Sequence, residues 1–185
     1  MKKIAYATIA AFGAIALPAA AQAQDSAKPE VTVGAQVGLH DLGLDTDGLD
    51  LEGANIDDSG EIYGGFVAVD FPVGSNLFIG GEGNASFGSG PIDAEYGMSA
   101  RFGLRTENGG KFYLRGGYQW IDVDAGGLVG VPDLDDDDLG VSTTVDDYLV
   151  GVGAEFPVGP VVLRANVDTV SFDTLRGTVG VGFKF

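Results

Sequence analysis

The sequence predicts an all-β protein in which eight antiparallel strands follow one another in up-and-down order. Eight segments after residue 29 alternate apolar residues with small or polar ones, which is the two-residue period of a strand. Glycine is abundant, with 31 residues in 185 against a usual share of roughly 7%. No segment after residue 23 has the uninterrupted run of roughly 18 apolar residues that indicates a membrane helix. Any membrane span of this chain is therefore predicted to be β.

The N-terminal segment has the three parts of a secretory signal peptide. Lys2 and Lys3 precede an apolar run at residues 4–17, and Ala21-Gln22-Ala23 provides small residues for cleavage. The apolar run is shorter than the about 20 residues that a membrane helix requires. Residues 1–23 are therefore predicted to be a signal peptide, and residues 24–29 a short polar lead before the strands of residues 30–185.

Alternation and turn residues define each strand in order. The predicted strands are 30–39, 61–71, 77–87, 94–105, 111–121, 143–156, 161–169 and 174–185. Phe71-Pro72-Val73-Gly74 and Phe156-Pro157-Val158-Gly159 repeat one strand-end turn, and Asn108-Gly109 is a strong hairpin signal. The second, fourth and sixth connections have five, five and four residues, whereas 40–60 and 122–142 have 21 each. Short turns at one end and long loops at the other are typical of an outer-membrane barrel.

Alternation alone leaves two ways to close the barrel, with the apolar face inward around a ligand, as in a soluble lipocalin-type barrel, or outward toward lipid. Aromatic residues near the strand ends of the apolar face favour lipid, because transmembrane barrels carry aromatic girdles there. Glycines on the opposite face suit a narrow, crowded lumen and would weaken a solvated exterior. We therefore predict an eight-stranded antiparallel up-and-down transmembrane β-barrel with short periplasmic turns and two long extracellular loops.

The C-terminal strand supports the same interpretation. The outward positions of this strand are apolar and its last residue is aromatic, in the series Val179, Val181, Phe183 and Phe185. This pattern looks like the assembly signal that the barrel assembly machinery reads in outer-membrane proteins. Glu82, Arg101 and Arg164 also occupy inward positions of the predicted strands. In topology, in these inward charges and in this terminal signal, the chain resembles the transmembrane domain of outer-membrane protein A and the opacity-type, porin-family surface proteins.

The resemblance implies a location and a set of partners. It implies export to the cell outer membrane of a Gram-negative bacterium, with residues 24–29 in the periplasm and contacts with outer-membrane lipid and lipopolysaccharide. It also implies a role in envelope integrity or surface adhesion and, in some relatives, narrow conduction. We expect a monomer whose extracellular ligand the sequence does not identify.

Charged residues at lumen-facing positions form the principal candidate site. The predicted lumen charge network consists of Glu82, Arg101, Arg115, Glu155, Arg164 and Lys184. Arg101 is expected opposite Arg115, Glu82 diagonal to Arg101, and Glu155 diagonal to Arg164. Because an eight-stranded interior is just wide enough for side chains, a closed cluster would plug the lumen. The same charges on opposite walls, with water between them, would instead line a pore.

The remaining composition excludes several function classes. The formal net charge of −17 argues against nucleic acid, and the absence of cysteine excludes disulfides and thiolate metal sites. His40 is the only histidine, and we interpret it as a solvated residue at the outer rim, so no catalytic site and no enzyme activity are predicted.

The first long loop suggests a metal site. Acidic residues surround Gly48 in this loop, and the candidate ligands for Ca²⁺ or Mg²⁺ are Asp45, Asp47, Asp50 and Glu52, although their spacing is not that of an EF-hand. No other cofactor is predicted. The sequence thus favours a structural or adhesive surface barrel that acts through its acidic loops, with a narrow porin-like channel for small solutes as the alternative.

Overall fold

The computed structural model describes residues 28–42, 59–89, 92–123 and 143–185. It contains eight strands: β1 Glu30–Asp41, β2 Ser59–Val73, β3 Leu77–Gly88, β4 Ile92–Arg105, β5 Lys111–Val123, β6 Thr143–Val158, β7 Val161–Val170 and β8 Leu175–Lys184. The predicted signal peptide and the candidate metal ligands Asp45, Asp47, Asp50 and Glu52 lie outside the described residues. Both remain predictions.

The eight strands form one closed antiparallel barrel, which confirms the predicted fold class. Each strand pairs with the next along the chain, and β8 pairs with β1 to close the sheet. Val37 of β1, for example, lies opposite Tyr63 of β2 on one side and opposite Val179 of β8 on the other. Among the described residues, no helix is long and apolar enough to cross a membrane.

Strands β1–β7 run further into their connections than the sequence predicted, whereas β8 is one residue shorter at each end. β6 continues through Pro157 to Val158, which lies opposite Val161, so the turn has only two residues and Gly159 takes a left-handed φ of 64°. Glu155 is consequently directly opposite Arg164, and the predicted diagonal placement of this pair is wrong. The predicted four-residue turn had counted two strand residues as loop.

The outward and inward faces are as predicted. The apolar side chains of alternate positions, including the girdle residues Tyr63, Phe87, Phe102 and Tyr148, are exposed on the outside of the barrel. Lumen-facing glycines allow neighbouring strands to approach closely, and a Cβ on Gly117 would overlap the backbone oxygen of Met98. A larger residue there would therefore require the strands to separate.

Two ends of the barrel are distinguished by their connections. The turn end carries the short β2–β3, β4–β5 and β6–β7 connections. The loop end carries the β1–β2, β3–β4, β5–β6 and β7–β8 connections. Just inside the loop end, five buried apolar side chains meet in the lumen, and Leu42 and Val123 pack against them. This apolar cap consists of Ile62, Ile92, Ile121, Leu149 and Val170. The cap was not predicted from the sequence, because Ile92 and Val170 fell outside the predicted strands and Ile121 was the last residue of its strand.

Candidate functional site

Below the apolar cap, the lumen is filled by buried charged side chains. Among the described residues, five buried Lys and Arg side chains face five buried carboxylates, so these charges are equal in number. We call this set the lumen ladder: Arg101, Lys111, Arg115, Arg164 and Arg176 with Asp70, Glu82, Glu95, Glu155 and Asp168. Buried charges are tolerated only when they are paired and hydrogen-bonded, so the pairing decides whether this interior is stable.

Glu82 is the centre of the ladder. Its Oε2 accepts a hydrogen bond from Arg101 Nη1 at 3.0 Å, and its Oε1 accepts bonds from Arg115 Nη1 at 2.6 Å and Arg164 Nη2 at 2.7 Å. Arg101 lies opposite Arg115 in the β4–β5 register, as predicted. Three guanidinium groups from three different strands thus converge on one carboxylate in a closed cluster.

Toward the turn end, the ladder continues through Arg101 and Lys111. Arg101 Nη2 donates to Glu155 Oε1 at 2.7 Å and lies 3.5 Å from Asp70 Oδ2. Lys111 Nζ donates to Asp70 Oδ2 at 2.6 Å and lies 2.9 Å from Glu30 Oε2. Lys111 was not among the predicted lumen residues, although it has the same lumen-facing parity as Tyr113, which the sequence pattern shows.

Lys184 lies at the rim of the turn end and not within the buried ladder, which corrects its predicted placement. Its Nζ is 3.8 Å from Glu30 Oε2, and 34% of its side chain is exposed. Arg105 also pairs with Glu30 at this rim. Lys184 has the correct parity, but it is the last residue of β8 and therefore reaches the mouth of the barrel.

Toward the loop end, the ladder continues through Arg115, Asp168 and Arg176. Arg115 makes a two-pronged pair with Asp168, with Nε to Oδ1 and Nη2 to Oδ2 both at 2.6 Å. Arg176 donates to Asp168 Oδ2 at 3.1 Å and to Glu95 Oε1 at 2.6 Å. Bidentate and charge-assisted hydrogen bonds are stronger than hydrogen bonds between neutral groups, and they fix the geometry of the side chains. The ion pairs therefore connect both ends of the lumen without a break.

His40 ends the chain of contacts beneath the apolar cap. It is fully buried, its Nδ1 lies 2.8 Å from Glu95 Oε2, and its Nε2 lies 3.3 Å from Thr174 Oγ1. The prediction of a solvated rim residue is therefore wrong. β1 extends to Asp41, so His40 occupies a lumen-facing position opposite Arg176.

The contact between His40 and Thr174 fastens a strained turn to the ladder. Ser171 and Phe172, in the β7–β8 turn, have left-handed φ values of 59° and 66°, which residues with a side chain rarely adopt. Thr174 Oγ1 also bonds the backbone N–H and C=O of Val170, at 3.2 Å each. A hydroxyl held by these contacts within the turn is an anchor and not a free nucleophile.

Aromatic rings complete the packing around the central cations. The Arg101 guanidinium lies 4.1 Å from the centroid of the Tyr113 ring, and that of Arg164 lies 3.9 Å from the Phe66 ring. The Asn166 amide is satisfied when its oxygen faces Arg164 Nε at 3.1 Å and its nitrogen donates to Tyr113 Oη at 2.7 Å. Cation–π contacts of desolvated groups contribute on the order of 2 kcal/mol each.

The other predicted site residues have the following positions. Val179, Val181 and Phe183 lie on the outward face of β8, and Phe185 follows the strand with its N–H donating to Val31 O at 2.8 Å. Their role as an assembly signal remains a prediction. Within residues 28–42, 59–89, 92–123 and 143–185, no group of three or more His, Cys, Asp or Glu residues is arranged to hold a metal ion.

Comparisons with known proteins support the fold. No family model matches the chain, and no curated protein matches it in sequence. Three solved structures resemble it: Ail, the attachment invasion locus protein of Yersinia pestis, in complex with the heparin analogue sucrose octasulfate; the N-terminal β-barrel domain of Pseudomonas aeruginosa OprF; and Neisserial surface protein A.

These similarities extend over almost the whole barrel. The TM-scores are 0.51, 0.54 and 0.52, at 17%, 12% and 16% identity, and cover 87%, 86% and 86% of this chain. The matches cover 100%, 100% and 98% of the respective structures. The chain therefore has the fold of the eight-stranded outer-membrane β-barrels, and the predicted resemblance is confirmed at the level of the fold.

Proposed function

We propose that the protein is a surface barrel of the outer membrane with a closed lumen, and that it serves envelope structure or adhesion through its loop end. The exposed apolar belt with its aromatic girdle supports a location in lipid. An even number of strands puts both ends of the barrel segment at the turn end, which corresponds to the periplasmic side. The loop end then faces the outside of the cell.

The observation that carries this proposal is the filled lumen. Glu82 and its three arginines close the centre, and the apolar cap closes the loop end. A narrow porin-like channel, the alternative, would require these charges to line opposite walls with water between them. Their direct contacts at 2.6–3.0 Å argue against such a passage.

The charge of the loop end limits the kind of partner. Five of the ten Lys and Arg residues are buried in the lumen ladder, and the others lie in the N-terminal segment or at the turn end. The sequences of the two long connections contain acidic residues and no Lys or Arg. A sulfated polyanion such as the heparin analogue bound to Ail is therefore not the expected ligand, because its recognition needs cationic side chains.

Planar-bilayer recording of the refolded mature chain tests the proposal. A closed lumen should give no stepwise conductance, whereas a known porin measured in the same bilayers should conduct. The folded state is checked beforehand by the shift in gel mobility on heating. Regular single-channel steps from the folded barrel would refute the closed lumen, and recovery of the expressed protein outside the outer-membrane fraction would refute the location.

A further inference from the structure

The β5–β6 hairpin extends beyond the β7–β8 turn at the loop end and leaves one side of β6 open. The last pair between β6 and β7 joins Leu149 to Val170. β6 nevertheless begins at Thr143, and among the described residues 143–147 pair only with β5. A strand edge of this kind presents backbone N–H and C=O groups with which another strand can pair.

One hydrogen bond at the base of this edge shows which backbone groups face the open side. Ser171 N–H, in the β7–β8 turn, donates to Tyr148 O at 3.0 Å, so the backbone groups of Tyr148 face the β7 side. Every second residue of an antiparallel strand shares this direction, so the N–H and C=O groups of Asp146 and Thr144 also face the open side. An extended peptide laid along β6 would therefore find donors and acceptors on both residues.

Phe172 lies in the β7–β8 turn beside this edge and contributes little to the stability of the barrel. Its side chain is 75% exposed, and its φ of 66° lies in the left-handed region that favours glycine. A strained backbone that carries an exposed aromatic ring costs stability and adds no packing, and such strain is typical of functional sites. The turn is fixed by the bond from Ser171 to Tyr148 and by the contact between Thr174 and His40. The ring is thus presented rigidly, as a binding anchor requires.

Carboxylates around the edge decide which kind of strand fits it. Asp146 and Asp147 lie on the edge and Asp173 lies in the turn, and among the described residues none of them has a Lys or Arg within salt-bridge distance. A second copy of the chain would bring like charges together across the new pair, which is destabilising. The sequence of the chain's own segment 124–142 contains acidic residues and no Lys or Arg, so the same repulsion applies to it. A basic strand is the complementary partner.

We propose that the open edge of β6, together with Phe172, binds an extended cationic segment of another polypeptide by strand addition. Backbone hydrogen bonds to Thr144 and Asp146 hold the segment, and its apolar side chains contact Phe172. Its Lys or Arg side chains face Asp146 and Asp147. The inference deepens the proposed function, because it names a class of partner for the loop end, and it rests on that end facing the outside of the cell.

Binding of a short synthetic peptide that alternates lysine and valine tests the proposal. The refolded mature chain is kept in an uncharged detergent at about 0.15 M salt, where long-range attraction between exposed charges is largely screened. Fluorescence anisotropy of the labelled peptide gives its Kd. The same peptide with methylated backbone nitrogens keeps the charge but cannot donate strand hydrogen bonds. A peptide that alternates glutamate and valine keeps the strand preference but reverses the charge.

A pair of variants at one position tests the backbone contacts. Thr144→Pro removes one N–H from the open side and leaves the β5–β6 hydrogen bonds in place, since proline is tolerated at strand edges. Thr144→Val is the matched control, because valine also lacks the hydroxyl but keeps the N–H. Thr144→Pro should weaken peptide binding roughly fivefold relative to Thr144→Val, which is the effect of one backbone hydrogen bond.

Two further variants test the side-chain contacts. Phe172→Gly should weaken binding about tenfold without lowering the urea midpoint, because glycine accepts the left-handed φ. Asp146→Asn should weaken binding roughly threefold relative to Glu61→Gln, which removes the same charge from an exposed position on β2. Every variant must first show the heat-dependent gel shift of a folded barrel.

Binding of the lysine–valine peptide that weakens in Thr144→Pro and Phe172→Gly, but not in Thr144→Val or Glu61→Gln, would support the proposal. Equal binding of the methylated or the glutamate–valine peptide, or no binding by the wild type, would overturn it. A wild-type dimer that Thr144→Pro abolishes would also overturn it, since the edge would then pair with a second copy. None of these results alters the conductance or fractionation tests, so failure here is distinguishable from failure of the proposed function.

Discussion

Neutralising Glu82 should destabilise the barrel more than neutralising an exposed carboxylate. Glu82→Gln keeps the shape of the side chain but removes the charge that Arg101, Arg115 and Arg164 share. Because these groups are buried, water cannot replace the charged hydrogen-bond partner that the arginines lose. The expected consequence is a lower free energy of unfolding.

The ion pairs that remain set the size of this effect. Arg101 keeps its contact with Glu155, and Arg115 keeps its contact with Asp168, so these two cations stay paired. Arg164 has no second carboxylate within salt-bridge distance among the described residues. Leaving one buried charge unpaired costs about 3–5 kcal/mol, and we expect a loss in that range.

Urea unfolding of the refolded barrel in lipid vesicles measures the change. Glu61→Gln is the matched control, because Glu61 is exposed at the loop end and its substitution should change stability by no more than about 0.5 kcal/mol. Adding Arg164→Met to Glu82→Gln removes the stranded cation and should recover part of the loss, with a coupling of roughly 0.5–3 kcal/mol. Equal unfolding midpoints for Glu82→Gln and Glu61→Gln would refute the reasoning.

Three further predictions concern the rest of the chain. Deleting Phe185 should lower the amount of folded, heat-modifiable barrel in the outer membrane while export continues, because the terminal aromatic is the proposed assembly signal. Thr174→Val should speed hydrogen exchange in the β7–β8 turn and cost about 1 kcal/mol, because the contact with His40 is lost. Millimolar calcium should slow proteolysis within the acidic segment 45–52 relative to EDTA, because divalent cations bridge carboxylates.

Each of these predictions has a contradicting result. Normal levels of folded barrel without Phe185 would exclude the assembly role. Unchanged exchange in the β7–β8 turn of Thr174→Val would show that the turn is held by its backbone alone. Identical cleavage of the acidic segment in EDTA and in calcium would show that its carboxylates are solvated and bind no cation.

The sequence could predict the strands and their faces because these depend on local patterns. Residues two apart on a strand share a face, so parity alone placed Arg101, Arg115 and Arg164 in the lumen and Phe102 and Phe112 outside. The same rule applied to Lys111 and His40. Both were missed because they lie near the ends of the predicted strands, where boundaries are least certain.

Pairing across the lumen could not be predicted in the same way. Glu155 is directly opposite Arg164 on the neighbouring strand, yet Arg164 bonds Glu82 and Glu155 bonds Arg101. These partners are separated by 82 and 54 residues along the chain. Their meeting depends on closure of the barrel and on the stagger between strands, which no local pattern encodes.

The sequence by itself therefore determined the number of strands, their order and the lumen-facing parity of Glu82, Arg101, Arg115, Glu155 and Arg164, since each follows from period and turn chemistry. The tertiary structure decided that paired side chains fill the lumen in the described part of the chain. It did so by bringing Glu82 to three arginines and by gathering the apolar cap from separate strands. The physical reason is that a closed barrel places strands that are far apart in the sequence within side-chain reach of one another. The distance between such strands across the lumen is set by the whole sheet.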